Sequence, residues 1–233
     1  MRLDKFLCDT VGVTRKQATY LLKEKRVTVE GEIVKSGALK IAEDANVEFD
    51  GMALRLSGPR YYMMNKPEGY VCSHEDAHNP TVFILFDEVG AEKLHIAGRL
   101  DCDTTGLLLL TDDGQWSHRV TSPKHKCDKT YRVWLEDAVS DETADLFAEG
   151  VQLRGEKAET LPAQMEKVDE KEVLLTIHEG KYHQVKRMFA SVGNKVVGLH
   201  RESVGELVLD EALEPGEYRS LTEDEIALFM PKK

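Results

Sequence analysis

Residues 95–111 read His95-Ile96-Ala97-Gly98-Arg99-Leu100-Asp101-Cys102-Asp103-Thr104-Thr105-Gly106-Leu107-Leu108-Leu109-Leu110-Thr111. Four consecutive leucines, closed by Thr111 and the turn Asp112-Asp113-Gly114, predict a short strand buried on both faces. The loop before them carries a guanidinium, Arg99, and two carboxylates, Asp101 and Asp103, between Gly98 and Gly106. Charge thus sits at the mouth of a buried strand, with Arg99 and Asp101 placed to share one side of the loop and Thr104 and Thr105 available as hydrogen-bond partners. A carboxylate that acts as a nucleophile near neutral pH must stay ionised, which a nearby guanidinium favours and Asp103 opposes. The bland alternative is that Asp101 bonds loop amides and pairs with Arg99. A glycosidase pair fits poorly, because carboxylates two residues apart do not by themselves span the roughly 5 to 9.5 Å such a pair needs.

Outward from this stretch, strands are predicted at 61–64, leading into the turn Lys66-Pro67-Glu68-Gly69, and at 130–135 and 173–178. Helices are predicted at 140–149, stopped by Gly150, and around Val185, Met188, Phe189 and Val192, stopped by Gly193. Thr222 caps a last helix. Strands and helices mix without regular βαβ alternation, so the class is α+β. Toward the N-terminus, Leu3, Phe6 and Leu7 repeat at helical spacing, and Thr14 with Gln17 forms a capping box ahead of Ala18, Leu21 and Leu22. Val27, Val29, Ile33 and Val34 around Glu30-Gly31, then Val47 and Phe49 before Asp50-Gly51, alternate as strands. Gly58-Pro59 marks the boundary between a domain at 1–59 and a larger one at 60–233.

Across 233 residues, 31 Lys and Arg face 42 Asp and Glu, a formal charge of −11. The longest apolar run worth naming is Leu107 to Leu110, far short of the roughly 20 residues of a transmembrane helix, and no signal peptide is evident. Cytoplasm and a monomer are the defaults. Net acidity argues against a polyanionic partner, because phosphate binding rests on Lys and Arg. Charge is segregated, however: residues 1–59 hold 10 basic and 9 acidic side chains, and 60–233 hold 21 and 33. Basic islands stand out at 1–26, at 118–132 and at 180–201, the last with no acid of its own. Its cations either repel one another or await a polyanion. The four cysteines form no C-x-x-C pair, and His118, His125 and Cys127 lack a fourth ligand, so reduced thiols and no metal are expected. Common nucleotide, serine-hydrolase and zincin motifs are absent.

Four ordered blocks resemble the RsuA/RluA-type pseudouridine synthases. Gly98 to Asp101 with Thr104, the leucine strand and Asp113-Gly114 is similar to the signature loop of that family. Asn65-Lys66-Pro67-Glu68-Gly69, Lys129-Thr130-Tyr131 and the stretch from Glu179 to Met188 are similar to its other motifs. Arg2 to Phe6, Arg26-Val27 and Gly31 resemble an S4 RNA-binding domain. The resemblance implies a small S4 domain joined to a catalytic domain with a mixed, mainly antiparallel sheet, acting without a cofactor. It implies Asp101 as the catalytic aspartate, Arg99 as its partner in the loop, Tyr131 as the active-site tyrosine and Lys186 as the late basic residue. RNA contacts are expected from Lys5, Arg15, Lys16 and Arg26, and from Lys129, Tyr182, His183 and Arg187. Tyr182-His183 stands where large-subunit enzymes usually carry Asn-Arg, which points to one uridine of 16S rRNA, on a small-subunit assembly intermediate. A 23S or tRNA uridine, or a non-catalytic S4-type assembly factor, are the alternatives.

Overall fold

Leu3, Phe6 and Leu7 lie on the buried face of α1 (Leu3–Val11), which stops at Gly12 in the left-handed conformation. α2 (Arg15–Lys23) opens with the expected capping box, the Thr14 hydroxyl accepting from the Gln17 amide and the Gln17 side chain from the Thr14 amide. Ala18 and Leu22 of α2 close on α1 and on Val27 and Val47 to form a small core. The strands β1 (Val27–Val29), β2 (Glu32–Ile33), β3 (Val47–Phe49) and β4 (Met52–Leu54) pair antiparallel in the order β2-β1-β3-β4. Glu30-Gly31 and Asp50-Gly51 turn the two hairpins, and all four residues have positive φ, as two-residue loops with primed turns require.

The computed structural model describes residues 1–42, 45–54, 58–87, 90–122 and 127–231. It divides into two compact units, Met1–Pro59 and Arg60–Lys233. The second is built on a nine-stranded sheet. Its strands are β5 (Tyr61–Lys66), β6 (His95–Ile96), β7 (Thr105–Thr111), β8 (Lys129–Leu135), β9 (Gln164–Asp169), β10 (Glu172–Ile177), β11 (Val196–Val204), β12 (Leu207–Val208) and β13 (Tyr218–Ser220). The main path runs β13-β5-β7-β11-β8-β10-β9, with β6 paired to β7 and β12 to β11. Among these strand pairs only β7 with β11 is parallel, so the sheet is mixed and mainly antiparallel.

The leucine run is the centre of this sheet. Leu108 and Leu110 join one apolar cluster, with Phe147 of α4 (Glu142–Glu149) and Val185, Met188 and Phe189 of α5 (Gln184–Ser191). Leu107 and Leu109 join the opposite cluster, with Trp116 and Val120 of α3 (Gly114–Thr121) and with Phe229 beyond α6 (Glu223–Ala227). Both faces are covered, which is why the strand is continuously apolar rather than alternating. Where a plain turn was expected, Asp113 caps α3, accepting from the amides of Gln115 and Trp116. No helix among the described residues is long and apolar enough to cross a membrane.

Candidate active site

The loop between β6 and β7 is gripped through its main chain. Lys66, at the end of β5, is fully buried, and its Nζ donates to the carbonyls of Pro67, Cys102 and Thr104 at 3.0, 3.3 and 2.8 Å. Burial pushes its pKa below the usual lysine value. From β11, the buried Arg201 donates to the carbonyls of Leu107 and Gly98, both at 2.8 Å. Gly106 stands against this arginine with φ +103°, and a Cβ there would lie 2.4 Å from the Arg201 carbonyl oxygen. A turn from the Thr104 amide to the Asp101 carbonyl, 3.1 Å, bends the loop at its acidic tip.

At that tip Asp101 is half-buried, with Lys186 Nζ 3.4 Å from Oδ2 and His183 Nε2 3.4 Å from Oδ1. Lys186 comes closer to Asp103, at 2.6 Å. Burial raises the Asp103 pKa, but the hydrogen bond and charge of Lys186 outweigh it and leave the group below the usual carboxylate range. Both partners come from the start of α5, where His183 is the N-cap residue and Lys186 lies in the first turn. Arg99 is exposed and forms no ion pair with Asp101, so the expected Arg99–Asp101 pairing is replaced by Lys186 and His183. The hydroxyls of Thr104 and Thr105 do not serve the carboxylate either. Thr104 Oγ1 is buried without a partner among the described residues, and Thr105 Oγ1 meets His200 Nδ1 at 2.8 Å.

These groups line a cleft of about 730 Å³, whose walls include Arg99, Asp101, Lys129, Tyr131, His183 and Lys186. Tyr131 and Lys129 alternate along β8 and so face the same side, with Arg201 opposite Tyr131 on β11. Tyr131 is buried. Lys129 donates to the Cys127 carbonyl at 3.0 Å, and burial, then the charge of Arg201, lower its pKa. Tyr182 lies at the same cleft, its ring stacked on that of His183 with centroids 3.8 Å apart.

The island at 180–201 is not a set of idle cations, contrary to the expectation drawn from its lack of acids. Glu179 pairs with Lys181, Glu156 with Arg187 and Glu136 with Lys195, and Asp101 and Asp103 share Lys186. Arg187 also donates to the carbonyls of Tyr182 and Arg154, so its guanidinium ties the chain together. Arg132 is likewise held between Glu172 and Glu202. Lys124, His125 and Lys126 lie outside the described residues, and with them the His118, His125 and Cys127 grouping. No cluster of three or more metal-binding side chains occurs among the described residues.

In the first unit the candidate RNA contacts divide into two kinds. Lys5 pairs with Asp9 at 2.9 Å, and Arg26 forks onto Asp50 over the ring of Phe49. Arg15 and Lys16 stand exposed at the start of α2 with no ion pair among the described residues. Sequence reasoning assigned no role to Lys66 or Arg201. The available signal for Lys66 was a lone cation just after the apolar run at 61–64, inside the block Asn65-Lys66-Pro67-Glu68-Gly69.

Comparison with known proteins gives a consistent answer. Residues 60–191 match the family described as RNA pseudouridylate synthase, and residues 1–47 match the S4 domain. The chain is 66% identical over 227 residues to the ribosomal small subunit pseudouridine synthase A of Vibrio cholerae, covering 97% of this chain and 98% of that one. It is 58% identical over 228 residues to the protein of the same name from Escherichia coli, covering 97% and 99%. A crystal structure of a pseudouridylate synthase superposes with a TM-score of 0.72 at 55% identity, over 99% of this chain and all of the other.

Proposed function

This chain belongs to the RNA pseudouridylate synthase family and carries an S4 domain, and on that premise we propose that it isomerises one uridine of 16S ribosomal RNA on a small-subunit assembly intermediate. The observation that carries the proposal is the acidic tip at Asp101, held by main-chain bonds inside a cleft and flanked by Lys186 and His183, with Tyr131 lining the same cleft. The substrate class follows from the near full-length similarity to small-subunit enzymes. A ribosomal RNA substrate supports a cytoplasmic location.

The reaction breaks the N1–C1′ bond of uridine, turns the detached uracil, joins C5 to C1′ and moves the C5 proton off carbon while N1 gains one. Atoms and electrons balance without a redox partner, so the chemistry calls for no cofactor. Asp101 acts on the ribose, as nucleophile at C1′ or as base at C2′, and both routes begin from the ionised carboxylate. Lys186 sets a positive charge 3.4 Å from that carboxylate. Tyr131, on the cleft wall, stacks on the base and stands where it can assist removal of the C5 proton. The uridine must leave its stack to enter, at a cost of a few kcal/mol, and Arg99 at the cleft is free to fill the vacated position.

The test is Asp101→Asn in a reconstituted 16S particle. Conversion of uridine should be abolished while RNA binding survives, and a fully active variant would sink the assignment. Mapping rRNA and tRNA from cells lacking the protein checks the substrate: loss of one 16S pseudouridine is expected, and loss from 23S rRNA or tRNA instead would overturn it.

A further inference from the structure

Tyr182 is 72% exposed, yet its ring is not loose: one face lies flat on the His183 imidazole, 3.8 Å away and tilted by 19°. Its hydroxyl has no hydrogen-bond partner among the described residues, so stacking alone holds the ring and its outer face is open to solvent. His183 is held with φ +46°, a left-handed conformation that a side chain with a Cβ enters at a cost and that recurs at functional sites. That conformation sets its Nε2 3.4 Å from Asp101 while its ring supports Tyr182.

We infer that the outer face of the Tyr182 ring is the stacking site for the unpaired nucleobase next to the target uridine, with His183 beneath it as a positioning residue for Asp101. The inference rests on the reading above that a uridine is turned into this cleft. Turning it out strips its neighbour of a stacking partner, and an exposed aromatic face at the same cleft supplies a new one. Every base has a π-face, so the site selects an unstacked nucleotide rather than a particular base. Tyr131, buried on the cleft wall, serves the target base; Tyr182 serves the next one along.

The experiment uses the full chain and a 16S particle lacking the modification. Tyr182→Leu should raise KM about ten-fold with little change in kcat, and Tyr182→Phe, which keeps the ring, should restore it. His183→Ala should lower kcat as well. An abasic residue on one side of the target should weaken the wild type by the factor that Tyr182→Leu costs, and should not weaken Tyr182→Leu further. A wild-type KM for Tyr182→Leu, or abasic penalties on both sides that are the same in variant and wild type, would overturn the inference. A wild type that converts no uridine in this particle refutes the proposed substrate instead. The Tyr182→Leu loss is then read from binding to single-stranded RNA, where unchanged affinity again rejects the stacking site.

Discussion

The ammonium of Lys186 stands 2.6 Å from the carboxylate of Asp103, nearer than it comes to any other acid. Asp101, at 3.4 Å, receives the weaker share. The two carboxylates are therefore held differently: Asp103 anchors the lysine, and Asp101, the residue proposed to act on the ribose, keeps that lysine beside it. Asp103→Asn removes a like charge and leaves Lys186 to Asp101, so kcat should stay within about ten-fold of wild type. Lys186→Met strips the cation from both acids and should cost about a hundred-fold. Single-turnover rates on the 16S particle measure both. If Asp103→Asn is as inactive as Asp101→Asn, the division of roles is wrong.

Gly106 predicts a stability effect. Alanine there combines a φ of +103° with a Cβ 2.4 Å from the Arg201 carbonyl oxygen, whereas Gly114 has open space around its Cβ position. Gly106→Ala should destabilise the protein by about 3 kcal/mol or more, and Gly114→Ala should change it by roughly 0.5 kcal/mol at most. Urea unfolding of the two variants decides the matter, and equal midpoints would refute the close approach.

The S4 cations should not contribute equally to RNA binding. Arg15 and Lys16 are unpaired among the described residues, whereas Lys5 and Arg26 already neutralise Asp9 and Asp50. Replacing Arg15 and Lys16 with Gln should reduce the slope of log K against log salt by about 1.5, and replacing Lys5 and Arg26 should reduce it less. An unchanged slope in the first double variant would reject α2 as an RNA-contacting element.

Acid should weaken the C-terminal segment first through Glu225. The hydrogen bond from Arg219 is the chief cause that lowers its pKa from 4.5 to about 2, against the opposing effect of burial. Between those values the unfolded chain binds a proton that the folded chain does not. Stability therefore rises with pH across this window, is fully present above 4.5, and is lost as pH falls through about 2. Glu225→Gln should lower stability at pH 7 by about 1 to 3 kcal/mol, and the difference from wild type should vanish near pH 2. A gap that stays constant with pH would show that the ion pair is not its source.

Elements whose causes are local were legible in the residues. The capping boxes at Thr14 and Thr222, the turns at Glu30-Gly31 and Asp50-Gly51 and the leucine strand each depend on a few neighbouring side chains, and each forms. β9 was not legible because it is an exposed edge strand whose only strand partner among the described residues is β10, so its residues carry little apolar alternation. β11 hides for a different reason. Gly198 leaves room for Trp134, where a Cβ would meet the indole at 2.8 Å, and Arg201 turns a charge inward. At the site, the same distinction holds. Asp101, Tyr131 and Lys186 could be read from motifs, but the acids that occupy Arg187 and Lys195 lie 31 and 59 residues away, and pairing at that range depends on the fold.

Lys66 and Arg201 hold the loop around Asp101 by its carbonyl oxygens, which every residue type supplies. The shape of the loop is thereby decoupled from the identity of the side chains it displays. Exchanges at Arg99, Asp101, Cys102 and Asp103 change what the tip presents without changing the path that presents it. The protein offers a fixed bracket with interchangeable chemistry at four positions flanking Leu100, and selection on specificity or rate can act there with little penalty in folding.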